Sequence, residues 1–389
     1  MSENVVKIAA PVAVEAGEET EAIDKGAKVL VATPRQLMWW RFKRHRIALI
    51  GSVVVILFYL VAIFCEVVAP LNPDTVDGLH KYVPPQPISF VDAQGQLTFR
   101  PGVNGLTPHR DPVTLRLSYE PDPKVWYPLY FFTTGPAYQL WGVIPLNLHL
   151  VGLGPNGDQP FFLLGTDRLG RDMFSRIVYA SRISLSIGLV GVALSLILGV
   201  ILGGISGYFG GTADLIIQRV IEFLRSMPTI PLWLALAAAL PPQWPPQYVY
   251  FGITVILSLL GWTRLAREVR GRFIQLREED FVLAARFAGA SEMRIIGRHM
   301  VPSFLSHIIA VISLAIPGMI LSETALSFLG LGLRPPVISW GVLLQDAQNV
   351  QTVAIYPWLL YPALAVILII LAFNFVGDGL RDAADPYSR

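Results

Sequence analysis

The chain has 389 residues, 53% of them hydrophobic and 15% charged, against a charged share of about 25% in ordinary soluble proteins. Its mean hydropathy is +0.53, and its long apolar runs exceed the ~18 residues that mark a membrane span, so a polytopic integral membrane protein is expected. Disulfide-stapled, collagen-like and disordered classes are excluded: Cys65 is the one cysteine, and the net charge of +2 makes no case for a nucleic-acid partner.

Residues 1–34 are polar and acidic and read as a disordered tail. The first membrane helix is predicted from Ile47 to Cys65, inside a segment spanning 35–69. It carries no charge and follows Arg41, Lys43, Arg44 and Arg46, which places the N-terminus in the cytoplasm. The run begins too late and is too long for a cleaved signal peptide. Residues 70–182 therefore face outward, as a long extracytoplasmic insertion between the first two helices. Its alternating stretches QLTFRPG and VTLRLSY predict strands, and it is long enough for a small domain. It reads either as a cap on the membrane part or as a docking surface for an external partner.

The core, 183–389, holds five further spans. The second begins near Ile183 and is rich in glycine. The third is predicted from near Asp214 to Leu240, kinked by Pro228 and Pro231, with Arg219, Glu222 and Arg225 on a stripe that faces protein. Pro241–Gln247 is a turn, and the fourth span runs from Tyr248 to Thr263. Eight arginines between Arg264 and Arg298 mark the next loop as cytoplasmic. The fifth span covers about Ser303 to Ser322, with Pro317 and His307, and the sixth about Trp358 to Val376. Six spans return the C-terminus to the cytoplasm.

Chemistry is conspicuous by its missing parts. None of the lysines follows a glycine, so no phosphate-cradling P-loop exists and no cofactor is expected in this chain. No H-E-x-x-H occurs, and His299 and His307 read as polar contacts, so no metal is expected. The tetrad Gly204–Gly207 places Ser206 in a G-x-S-G setting, and with a membrane histidine it could serve as the nucleophile of an intramembrane serine protease. The competing reading is close helix packing through the surrounding glycines. An ion-coupled transporter would show paired intramembrane acids, and the apolar runs carry none except at span ends.

The cytoplasmic loop REEDFVLAARFAGASEMRIIGRHMVPS is the most informative stretch. Glu278, Glu279 and Asp280 sit where a helix N-terminus favours acids, and Ala284, Ala285 and Ala288 give that helix a small-residue face. Gly289 ends it, and Ser291 caps a second short helix toward His299. With Pro302 following, AA-x-x-x-G resembles the "EAA" loop of binding-protein-dependent ABC transporter permeases, departing from it at Leu283, where that family usually has glutamate. LGTDRLGRDMFSRIVYASRISLSIG (Leu164–Gly188), SETALSFLGLGLRPPVISWG (Ser322–Gly341) and LAFNFVGDGLRDAADP (Leu371–Pro386) resemble segments of the dipeptide/oligopeptide branch. In the first, Asp167, Arg171, Asp172 and Arg176 read as a charge network capping the helix. In the last, Asp378 and Arg381 read as capping the helix end.

The resemblance implies an all-α, six-helix type I ABC importer permease fold in the bacterial inner membrane. It implies alternating access, with peptides or similar small solutes (oligosaccharides, opines, nickel) as cargo. It assigns ATPase coupling to Asp280, Leu283, Ala284, Ala285, Gly289 and Ser291. The implied partners are a second homologous permease, two ATP-binding subunits that hold ATP and Mg, a periplasmic substrate-binding protein and membrane lipids. ATP hydrolysis would belong to the partners, making this chain a non-catalytic subunit.

Overall fold

A computed structural model describes residues 34–110, 112, 117–153 and 160–384. The predicted tail lies outside these residues except for Pro34, as do Asp385 and Pro386. A basic helix, α1 (Pro34–Arg44), leads into α2 (Arg46–Ile63), whose 18 residues span about 27 Å at 1.5 Å per residue, close to the hydrocarbon thickness of a bilayer. A short α3 (Cys65–Val68) follows.

The insertion forms two antiparallel sheets. One is β1 (Ile88–Val91), β2 (Leu97–Arg110) and β3 (Leu117–Pro128) in sequential order. The other is a hairpin of β4 (Tyr130–Leu140) and β5 (Ile144–Gly152). Small apolar cores hold the insertion down: Val103, Leu129, Leu153 and Phe161 in one, Val83, Tyr119 and Phe162 in the other.

The membrane part continues with α4 (Met173–Phe209), α5 (Gly211–Ser226), α6 (Thr229–Ala238) and α7 (Pro246–Leu276). Among the described residues five helices are long and apolar enough to cross a membrane, and α5 with α6 makes a sixth if the bent pair is one span. The predicted kink is a full break: the pair bends by 90°. Pro228 removes a backbone donor and forces the residue before it out of the helical region, and Met227 is indeed extended at φ −86°, ψ 141°. Pro231 lies in the first turn of α6, where no intrahelical donor is needed.

After α7 come α8 (Asp280–Phe287), α9 (Glu292–Arg294), a π-helical turn (Ile295–Met300), α10 (Val301–Ser303) and α11 (Leu305–Phe328). The connection that follows α11 contains α12 (Trp340–Leu344) and α13 (Val350–Ile355), and α14 (Tyr361–Ala384) closes the described chain. The core joins α4, α7, α11, α12 and α14 around Leu185, Ile187, Leu257, Ile320, Trp340 and Ile369.

Glycine sets how closely these helices approach. An added Cβ would lie 2.9 Å from Leu265 at Gly199, 2.5 Å from the Ala266 carbonyl oxygen at Gly203, and 2.6 Å from the Arg270 carbonyl oxygen at Gly207. Four-residue spacing puts all three on the face of α4 that meets α7, the small-residue packing that membrane helices use in place of a hydrophobic driving force.

Helix α11 overruns its predicted end and carries Glu323 into the core, where it is fully buried. Sequence reasoning leaves this acid at a span end. It accepts from the hydroxyls of Ser327 (2.8 Å), Ser339 (2.7 Å) and Ser184 (3.3 Å). These serines in turn accept from the backbone N–H of Leu333, Val342 and Trp340. One carboxyl thus fastens α4, α11 and the entry to α12 together.

Candidate functional site

The loop between α7 and α11 holds a helix locked on one face and bare on the other. Glu279 occupies the N-cap position of α8 in an extended conformation, φ −74° and ψ 145°, and exposed Asp280 sits in the first turn, where the helix dipole favours an acid. At the other end Ala290 N–H donates to the Ala285 carbonyl (3.0 Å) and Gly289 N–H to that of Arg286 (3.0 Å). That paired arrangement closes a helix through a left-handed residue, and Gly289 has φ +76°. A Cβ there would meet nothing within 4 Å, so within this chain the requirement is conformational rather than steric. Ser291 is exposed, extended at φ −65°, ψ 150°, and opens α9 through its backbone. Its side chain makes no capping bond.

Val282, Ile295 and Met300 are fully buried against Tyr208 of α4, Val269 and Phe273 of α7, and Phe304. Ala285 and Ala290 pack partly on the same cluster, and Leu283 is half-buried. The two alanines therefore divide: Ala284 is exposed, while Ala285 leans toward the core. Arg286 ties the helix to α4, donating to the Tyr208 hydroxyl at 3.3 Å with its guanidinium 5.8 Å from the ring centroid.

The bare face carries Phe281, Ala284, Phe287 and Ala288, with Met293 beside it. Phe287 is 89% and Met293 78% exposed. Sequence reasoning dwelt on the alanines and missed the two phenylalanines. The signal was available, since positions 281, 284, 287 and 288 form one helical stripe. This surface offers apolar contact on a fixed helix, with no arrangement of nucleophile and base.

Ser206 is placed differently from a nucleophile. It is buried, donates to Asp214 and accepts from Gln218 Nε2 at 3.1 Å. Arg270 grips both oxygens of Asp214 at 2.6 Å. His307, the histidine nearest in the protease reading, lies instead against Glu268 at 3.9 Å. Ser206 thus joins α4 to α5 and, through Asp214, to α7.

At the N-terminal end of α4 the GTDxxGRD stretch is a structural knot. Asp167 accepts from the N–H groups of Leu169 (2.8 Å) and Arg171 (3.0 Å) and from Arg171 Nε (2.7 Å). Arg176 Nε stands 3.7 Å from the same carboxylate, and its Nη1 donates to the Pro73 carbonyl at 2.9 Å. Asp172 caps α4 by accepting from Ser175 N–H at 2.7 Å, while its other oxygen has no partner. Burial pushes the Asp172 carboxyl up to about 6. Asp378 and Arg381 are exposed near the end of α14.

Nearby, Arg182 takes Glu66 in two hydrogen bonds of 2.6 and 2.7 Å and also donates to the carbonyls of Ala62 and Ile63. Burial alone would raise the Glu66 carboxyl, but Arg182 holds it below the usual carboxylate range.

Comparison with known proteins adds independent findings. Residues 196–389 match the family described as binding-protein-dependent transport system inner membrane component. Residues 33–85 match the N-terminal TM domain of oligopeptide transport permease C. The dipeptide transport system permease DppC of Bacillus subtilis is 38% identical over 257 residues, covering 66% of this chain and 77% of that protein. The oligopeptide permease OppC of the same organism is 37% identical, covering 65% and 80%. OppC of Haemophilus influenzae is also 37% identical, covering 67% and 81%. A solved inward-facing methionine transporter, MetNI, aligns with TM-score 0.42 and 14% identity over 54% of this chain and 97% of that one. Residues 86–195, most of which are the insertion, lie outside both family matches.

Proposed function

This chain belongs to the permeases of binding-protein-dependent ABC importers, in the dipeptide/oligopeptide branch, and on that premise we propose that the bare face of α8 is its ATPase-docking surface. It is a multi-pass inner-membrane permease subunit rather than a catalytic one, consistent with transport of peptides or similar small solutes by alternating access. The partners proposed are a second, similar permease, two ATP-binding subunits and a periplasmic binding protein that delivers cargo. Peptides are the favoured cargo because the relatives are named for dipeptide and oligopeptide transport. The proposed orientation has both termini and the α8 loop in the cytoplasm and the insertion outside. The arginines of the 264–298 loop support it.

One observation carries the docking assignment: an exposed apolar stripe rides on a helix whose other face is wedged between α4 and α7. A push on Phe287 or Met293 must pass through Val282 and Arg286 into those two long helices. Motion of the ATPases would thus become motion of the membrane part. Asp280, Ala284, Gly289 and Ser291 would act here by shaping the stripe and its turn, Ala285 and Leu283 by seating it.

The test is co-purification of the ATPase subunits, and substrate uptake, with Ala284→Glu and Phe287→Asp against Ser206→Ala. A contact anchor is worth about 2 kcal/mol or more, roughly thirtyfold in association, so the two loop variants should lose the ATPase while still inserting in the membrane. Retention of ATPase and uptake by both, with loss in Ser206→Ala, would reverse the assignment.

A further inference from the structure

The insertion carries a hairpin that has no reason to be in water. From Val125 to Gly157 the chain has no Asp, Glu, Lys or Arg. Among the described residues β4 and β5 pair only with each other, and a two-stranded hairpin is marginal in water unless something else holds it. Its tip nevertheless exposes Trp141, Val143, Ile144 and Leu146, with Val143 77% and Trp141 52% accessible.

The tip is fixed in height. Trp141 Nε1 donates to the Ile63 carbonyl at 2.8 Å, and Trp141 N–H donates to Glu66 at 3.3 Å. The Trp141 ring also packs against Phe64, centroids 5.8 Å apart. Ile63 is the last residue of α2, so Trp141 joins Arg182 in donating to a carbonyl at the helix end and ties the hairpin there. Since α2 is about as long as the hydrocarbon is thick, its last turn lies at the outer edge of the apolar layer.

The backbone at the tip is unusual too. Trp141 has φ 53° and Gly142 φ 74°, and Val143 N–H closes the turn on the Leu140 carbonyl at 3.1 Å. Tight hairpin turns with positive φ ordinarily take Asn, Asp or Gly at the first of these positions. A bulky aromatic there is strained, and what it gains is its place at the end of α2.

We propose that the β4–β5 hairpin tip is a membrane anchor, with Trp141, Val143 and Ile144 seated in the headgroup–acyl boundary of the outer leaflet beside the first span. Three features select lipid over a protein partner. The exposed apolar stripe of α2, including Ile56, Leu60 and Ile63, continues through Phe64 into Trp141, as one surface presented to lipid would. The hairpin offers no charged side chain to make the polar rim that protein interfaces carry. A tryptophan hydrogen-bonded at the bilayer edge is where membrane proteins concentrate that residue. The anchor would hold the insertion at a set height and angle over the membrane part. The proposal rests on the orientation proposed above, with α2 crossing the bilayer and its C-terminal end outside, and is independent of cargo and of the ATPase site.

The experiment is site-directed spin labelling of the full chain in nanodiscs of phosphatidylethanolamine and phosphatidylglycerol. Nitroxides are placed at Val143→Cys and Ile144→Cys, with Asp122→Cys on β3 as a reference. Buried Cys65 is left in place, and the unsubstituted chain is the labelling blank. Power saturation then compares access by oxygen, which partitions into lipid, with access by a water-soluble nickel chelate. Labels at 143 and 144 should be at least severalfold more accessible to oxygen than to the chelate, and the label at 122 the reverse. Chelate access at 143 and 144 equal to that at 122 would place the tip in water and overturn the proposal. Protection from both reagents would place it against protein, which overturns it as well.

Discussion

Gly203→Ala and Gly204→Ala are neighbouring substitutions of one methyl group, and the first should leave the chain less stable than the second. At Gly203 the new Cβ would stand 2.5 Å from the Ala266 carbonyl oxygen and 2.9 Å from its Cα, both backbone atoms that no side-chain rotation can move. At Gly204 the nearest atoms are on the Phe273 ring at 3.4 Å, an ordinary contact. Both variants gain roughly 1 kcal/mol of helix propensity. Gly203→Ala must also separate α4 from α7 by the better part of an ångström, at the overpacking cost of about 1–3 kcal/mol. The cost recurs along the seam, because a Cβ at Gly207 would stand 2.6 Å from the Arg270 carbonyl oxygen of the same helix. Gly203→Ala should therefore fall below Gly204→Ala by about 1–3 kcal/mol. The measurement is thermal unfolding of the detergent-solubilised chain followed by size-exclusion fluorescence, with Gly207→Ala expected to resemble Gly203→Ala. If Gly203→Ala melts at or above Gly204→Ala, the close approach of α4 and α7 does not limit stability and the packing account fails.

Two other outcomes follow from buried carboxyls. The Asp172 carboxyl is raised in the folded state, so its favourable contribution is complete below the unfolded value near 3.8 and is lost as pH rises through about 6. Asp172→Asn should flatten this part of the stability–pH curve, removing a difference on the order of 3 kcal/mol between pH 4 and pH 7. An unchanged slope in the melting series would contradict it. Glu323→Leu should destabilise by several kcal/mol, since it strips the acceptor from three buried serine hydroxyls at about 1–3 kcal/mol each as an upper range. Glu323→Gln, which keeps an acceptor oxygen, should retain most of the stability, and equal melting of the two would remove the hydroxyl cage as the cause.

The sequence by itself determined the membrane class, the outward insertion and the positions of most spans, because lipid demands long uncharged helices and arginine marks the ends that stay inside. It also located the turn at Gly289 and the helix start at Asp280, since caps and left-handed turns are written in a few adjacent residues. The tertiary structure decided what depends on neighbours distant in the chain. Pro228 announces a disturbance, but whether it is a kink or a 90° break shows only in the structure, where Met227 is extended. Ala284 and Ala285 are alike in sequence, and only the position of Val269, Phe273 and Ile295 sends one outward and the other inward. Glu323 sits at a span end on paper and in the core in space, because Ser184 and Ser339, far apart in sequence, arrive to satisfy it. Ser206 has two readings in the sequence, helix packing and nucleophile, and Asp214 and Arg270 beside it decide for the first. Local propensity and burial are one-dimensional properties of the chain, whereas a hydrogen bond across more than a hundred residues exists only once the helices have packed.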